Sequence, residues 1–215
     1  MSATTTLRTA ADRGGELPEQ PSSAAWRHGA GTSPSGIALW VFFGVATSLF
    51  SLFTAAYVMR AASNDWVPVV LPWQLWLSSA LLMGASGALA WASSRVPGGD
   101  HGAARDAVRL GGVLALGFLA VQAWAWLSLA DRMVLPRGQV AASFFFLLTA
   151  MHGLHVAGGL LAWTRVLRAW DERTSATRVR LLARYWHFLL IVWLALLALI
   201  GGMTPELARA ICGVS

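Results

Sequence analysis

Lysine does not occur in this sequence; all sixteen basic residues are arginine. Cysteine occurs once, as Cys212, which excludes an internal disulfide and a CxxC metal motif. Charged residues make up only 12% of the 215 positions, about half the roughly 25% share of soluble domains. The ten acids are Asp12, Glu16, Glu19, Asp65, Asp100, Asp106, Asp131, Asp171, Glu172 and Glu206, and all fall outside the apolar runs or at their edges. Proton and ion pathways ordinarily use carboxylates inside the bilayer, and di-iron centres are built from them, so this distribution counts against both. No phosphate-cradling glycine loop and no nucleophile–base constellation stands out. Ser78, Ser79 and Ser86 read as hydroxyls bonded to backbone carbonyls in an apolar span.

What the chain has in quantity is apolar surface: 56% hydrophobic residues and a mean hydropathy of +0.57. Roughly 20 apolar residues cross a bilayer as a helix, and five such runs occur, at about 37–59, 70–93, 107–130, 139–166 and 183–203. The expected fold is all-α, a polytopic membrane bundle of five transmembrane helices occupying residues 37–204. Residues 1–36 are polar and rich in Gly, Ser and Pro, show no cleavable-signal pattern, and are expected to form a flexible tail. Residues 205–215 are expected to form a second, short tail.

Charge orients the spans. Twelve of the sixteen arginines fall in the N-terminal segment and in the connectors between runs two and three and runs four and five. Only Arg60, Arg132, Arg137 and Arg209 lie on the other side. The positive-inside rule then puts the N-terminus in the cytoplasm and the C-terminus in the periplasm or outside. The formal charge of +6 belongs to a face turned towards anionic lipid and cytoplasmic partners, not to a nucleic-acid site. Trp66, Trp73, Trp91, Trp163, Trp170 and Trp186 sit near span ends, where an amphipathic indole is favoured.

Two histidines interrupt the fourth run, in "SFFFLLTAMHGLHVAGGLLAW". His152 and His155 share a helical face, and an HxxH pair can supply two ligands to zinc, iron or haem. A third histidine, His187, lies in "RYWHF" of the fifth run. Depth separates them on the expected boundaries. His155 lies about eleven residues from the arginine-rich end, near 16 Å, and His187 about four, near 6 Å. With no acids to complete a coordination shell, the reading preferred for the three is hydrogen bonding between helices or to lipid headgroups. Metal or haem ligation and proton transfer are the alternatives.

These residues resemble subunit III of the haem-copper oxidases, the cytochrome c and quinol oxidases. The signature helix of that family runs from an aromatic stretch through Thr to His-Gly-x-His-Val and a Gly four positions on; here these are Thr149, His152, Gly153, His155, Val156 and Gly159. Its last helix carries Tyr-Trp-His-Phe and then Val-Trp, matched by Tyr185, Trp186, His187, Phe188, Val192 and Trp193. Phe42, Phe50, Ala56 and Tyr57 follow the pattern of its first common helix, "LPWQLWLSSALL" that of the next, and Gln122 its following glutamine. The likeness spans about 37–203, and five spans is the count of the short bacterial members. Three acids common in the family are missing: Val45 and Ala46 replace a Ser-Glu pair, Ala125 an acid and Leu190 an Asp. These departures count against a part in delivering protons and leave structural and lipid-holding roles intact.

The resemblance implies a non-catalytic accessory subunit in the bacterial cytoplasmic (inner) membrane. It would pack against oxidase subunits I and II and hold structural phospholipid in a cleft between helices one to two and three to five. Haem and copper would reside in the partner subunits and no cofactor in this chain. His152, His155, Gly159, Trp186, His187 and Tyr57 are the candidate lipid-binding or helix-packing residues, with no catalytic residue and no metal ligand. Two other readings stay open: a subunit III-like accessory of nitric oxide reductase, and a free-standing haem- or metal-binding oxidoreductase that uses the histidine pair.

Overall fold

The computed structural model describes residues 34–63, 66, 71–132, 140–170 and 175–213. The expected N-terminal tail lies, up to residue 33, outside them. The described residues form six helices and no strand: α1 (Pro34–Ala61), α2 (Gln74–Arg95), α3 (His101–Arg132), α4 (Val140–Arg168), α5 (Ser175–Gly202) and α6 (Pro205–Cys212). The first five are long and apolar enough to cross a membrane. Helix is the necessary outcome for them, because in hydrocarbon each backbone N–H and C=O must find its partner within the segment.

Two helices start earlier than their hydropathy indicates: α3 begins at His101, not near 107, and α5 at Ser175, not near 183. The added turns of α5 carry Arg178 and Arg180, which depress hydropathy, but also Val179, Leu182 and Ala183, which are buried. An amphipathic turn at a bilayer surface satisfies both water and the bundle, so the helix runs past the apolar run.

The spacing of buried residues explains how α2–α5 pack. On α3, Ala104, Val108, Ala115, Phe118, Gln122, Ala125 and Leu129 are buried; with Gly111, also buried, the steps alternate four and three. On α5 the buried line is Val179, Leu182, Trp186, Leu189, Trp193, Leu196 and Ile200. On α2 it is Leu75, Ser78 or Ser79, Leu82, Ala85 or Ser86, Leu89 and Ala92. A seam repeating every seven residues brings helices together at shallow angles, as in four-helix bundles. Accordingly α2 packs most extensively on α3 and also on α5, while α4 closes the bundle against α3 and α5. Small residues set the closeness. A methyl group on Gly111 would stand 2.9 Å from Cγ of Leu89, and one on Gly112 would overlap the indole of Trp163. That indole donates instead to the Val108 carbonyl at 2.6 Å.

Helix α1 stands apart from this seam. Its buried residues are Ala46, Phe50, Tyr57 and Ala61, a single narrow stripe, and its backbone approaches no other helix extensively. Aromatic side chains bridge the distance. Phe43 stacks on Phe188 with ring centres 4.3 Å apart, Phe42 meets Tyr185 at 5.6 Å, and Tyr57 meets Phe144 at 5.9 Å. After α5, Thr204 caps α6 by accepting from the Leu207 N–H, and Arg209 donates to the Ala62 carbonyl beyond the end of α1. The Glu206 carboxyl is held below its ordinary pKa by hydrogen bonds to its own backbone N–H and to the Thr204 hydroxyl.

Candidate functional site

Aromatic side chains span much of the distance from α1 to α5, and open grooves are left between the two helices. One, of about 660 Å³, is lined by Thr47, Phe50, Ser51 and Thr54 of α1 and by Phe188, Ile191, Val192, Ala195 and Leu199 of α5. A second, of about 610 Å³, is lined by Trp40 and Phe43 of α1, Ala90 and Ser93 of α2, and Arg180, Arg184, His187, Phe188 and Ile191 of α5. Phe188 and Ile191 line both, so the two form one furrow along α5. The furrow carries two arginines and a histidine at the arginine-rich end; beyond them its α5 wall is apolar, while α1 adds Thr47, Ser51 and Thr54. A further groove, of about 760 Å³, lies between α2 and α3, lined by Gly84, Gly87, Ala88 and Trp91 of α2 and by Ala103, Asp106, Ala107, Leu110 and Leu114 of α3, where helices one to two meet three to five. Helix α2 belongs to the bundle with α3 and α5, and the two grooves of the furrow flank α1.

The three histidines part company. His152 occupies a seam position of α4 and is fully buried, its ring 5.8 Å from Phe118, 5.2 Å from Trp193 and 6.5 Å from Phe50. His155 turns towards α1, with its ring 5.6 Å from Phe42 and 5.4 Å from Phe50. Its Nδ1 is 2.7 Å from the Met151 carbonyl; a carbonyl can only accept, so Nδ1 carries the proton. His187 faces α2, where Nδ1 and the Ser86 hydroxyl are hydrogen-bonded at 2.7 Å, and it also lines the groove.

Depth does not separate His155 from His187. The Tyr185 hydroxyl donates to the His155 carbonyl at 2.7 Å, which puts His155 nearly level with His187, two residues on. The early start of α5 is the reason. What keeps these two apart is direction: one faces α1 and the other α2. Among the described residues no group of three His, Cys, Asp or Glu side chains is placed to hold a metal.

Gly159 lies under the Tyr185 and Trp186 rings, Trp186 is fully buried, and Tyr57 is buried with its ring 5.1 Å from Trp66. These three sit in helix contacts, and of the six candidates His187 alone lines the groove. Arg180 and Arg184 stand beside His187 in the groove, and sequence reasoning gave the serines of α2 no partner on α5. Ser79 and Ser86 receive Trp193 and His187 respectively, the indole N–H donating to the Ser79 oxygen at 2.9 Å. The seven-residue spacing of Ser79 and Ser86, along the same seam as Leu75, Leu82 and Leu89, is the signal that could have found them.

Five membrane-crossing helices, four of them in a heptad-spaced bundle and one held off by aromatic rings, define a multi-pass helical membrane protein. Residues 36–201 match the family model described as cytochrome c oxidase subunit III, and the chain belongs to that family. It is 30% identical over 173 residues to cytochrome c oxidase subunit 3 of Synechocystis sp., an alignment covering 74% of this chain and 72% of that protein. It is 43% identical over 70 residues to the cytochrome bo(3) ubiquinol oxidase subunit 3 of Pseudomonas aeruginosa, covering 30% and 33% of the two chains. With cytochrome c oxidase subunit 3 of Corynebacterium diphtheriae it shares 32% over 83 residues, covering 37% and 40%. Membership in this family makes the chain a subunit III type of oxidase component.

Proposed function

We propose that this chain is a non-catalytic accessory subunit of a respiratory haem-copper terminal oxidase. It stabilises the metal-bearing subunit and holds phospholipid in the furrow between α1 and α5. The partners are oxidase subunits I and II, where haem and copper reside, and the chain itself binds no redox cofactor. The membrane is the bacterial cytoplasmic membrane, with the arginine-rich end of the bundle in the cytoplasm.

The observation that carries the lipid reading is the polarity of the furrow. Arg180, Arg184 and His187 stand at one end, and Phe188, Ile191, Val192 and Ala195 continue from them along α5. Guanidinium groups bind phosphate strongly, and the apolar stretch beyond suits acyl chains. From Arg184 to Leu199 the helix rises roughly 22 Å at 1.5 Å per residue, the reach of an extended acyl chain.

The test is to purify a tagged chain from its native membrane in mild detergent, then record the absorption spectrum and identify co-purifying proteins and lipids by mass spectrometry. The expected result is a haem-copper subunit I in the eluate, a colourless chain after dissociation, and phospholipid that is depleted in Arg180→Gln/Arg184→Gln. A chain that arrives alone with its own haem or metal would overturn the accessory role. Lipid retained undiminished by the arginine variant would overturn the furrow as its site.

A further inference from the structure

We propose that His152 and Gln122 together bind a single water molecule buried in the core of the bundle. Both are seam residues, His152 fully buried and Gln122 only 6% exposed. Both ring nitrogens of His152 and both amide atoms of Gln122 lack a hydrogen-bond partner among the protein groups. A buried polar atom without a partner is costly, and in hydrocarbon there is no bulk water to supply one.

The two residues meet at one level of the bundle. Gln122 lies one helical turn beyond Phe118, whose ring is against His152, and one turn before Trp126. The Trp126 indole donates to Thr149 at 3.1 Å, and Thr149 lies just ahead of His152 on the antiparallel α4. Gln122 therefore faces α4 between Thr149 and His152. Thr149 offers little to it, because its hydroxyl already donates to the Phe145 carbonyl at 2.6 Å and accepts from Trp126.

Chemistry selects the ligand. A neutral imidazole presents one donor and one acceptor, and a carboxamide presents donors on nitrogen and an acceptor oxygen. The two make no hydrogen bond to each other, so neither satisfies the other directly. A molecule that both donates and accepts and is small enough for a packed seam can bridge one ring nitrogen of His152 and the amide of Gln122, and water does so with two to four bonds. A metal ion does not suit the site, since among the described residues no group of three His, Cys, Asp or Glu side chains is placed to hold one. The rings of Phe118 and Trp193 wall it in.

The test uses the full chain in native-lipid bilayers, isotopically labelled at histidine, with solid-state NMR transfer of magnetisation from water to the imidazole rings. His152 is assigned by the signal that disappears in His152→Gln. The expected result is transfer from water to the His152 ring that is lost in Gln122→Leu, with the His187 ring unaffected. If Gln122→Leu does not fold, Gln122→Met supplies the same loss of polarity at closer shape. A His152 ring that receives nothing from water in the unaltered protein overturns the proposal, and so does transfer that survives removal of the Gln122 amide.

Discussion

Gly159 is where the packing between α4 and α5 is tightest against one identifiable side chain. A methyl group there would stand 2.7 Å from Cε1 and 3.3 Å from Cδ1 of Tyr185, and 3.4 Å from Cζ2 of Trp186. The last of these is ordinary contact; the first cannot persist, so the Tyr185 ring must move. It is not free to do so, because its hydroxyl is bonded to the His155 carbonyl and its ring packs against Phe42. Overpacking of this kind costs about 1–3 kcal/mol, with about 1 kcal/mol more if the Tyr185 hydrogen bond is given up. The assay is reversible unfolding of the purified chain in mixed micelles, comparing Gly159→Ala with Gly87→Ala. A methyl on Gly87 meets nothing within 4 Å and so reports the backbone effect of the substitution alone. Gly159→Ala should be less stable than Gly87→Ala by that margin, and most of the difference should vanish in a Tyr185→Ala background. A difference below about 0.5 kcal/mol, the ordinary scatter of neutral substitutions, would refute the steric argument. So would a cost unchanged by removing the Tyr185 ring. Gly159→Leu, with four more carbons than glycine, should further reduce the yield of assembled subunit.

The Trp193–Ser79 hydrogen bond joins α5 to α2 in the core. A double-mutant cycle of Trp193→Phe and Ser79→Ala should give a coupling of about 0.6 kcal/mol, the average for interhelical bonds in a bilayer, whereas zero coupling would mean the bond contributes nothing. Replacing His152 and His155 together by Gln should leave the haem bands of the oxidase complex unchanged in its absorption spectrum; a lost band would make this chain a haem ligand. Ala46 is buried, one turn before the Phe50 ring that touches both histidines. Ala46→Glu, which restores the acid common at this position in the family, should leave steady-state turnover where it is. If it markedly slowed turnover-dependent inactivation, the missing acid would have a functional part.

Span number and span character were legible because hydropathy over roughly 20 residues is a strong signal that needs no knowledge of neighbours. The ends of α3 and α5 were not, since hydropathy reports where a helix meets lipid and not where it stops. The buried Val179, Leu182 and Trp186 are spaced three and four apart through the arginines, and that pattern marks the extra turns of α5. The histidines show a different limit. Sequence spacing placed His152 and His155 on one helical face; both rings reach Phe50, but His152 also meets Phe118 and Trp193 while His155 meets Phe42. Which helix each ring meets depends on how five spans are arranged, and that is written in no local stretch. The furrow was hidden for the same reason. Arg180 and Arg184 read as topology signals, and only the stand-off of α1 turns them into the mouth of a groove.

The narrow stripe that attaches α1 has a consequence for the order of events during synthesis. Phe42, Phe43, Phe50 and Tyr57 rest on α4 and α5, so α1 has no shelf until α4 and α5 are made. Phe43 and Phe188 are separated by roughly 145 residues, and at 5–20 residues per second that interval lasts about 7–30 s. During it α2 and α3, joined by a single 3-10 turn at Val96–Gly98, already have each other. The α1 helix docks onto a bundle whose seam is complete without it, and the furrow beside α5 exists only once it has docked.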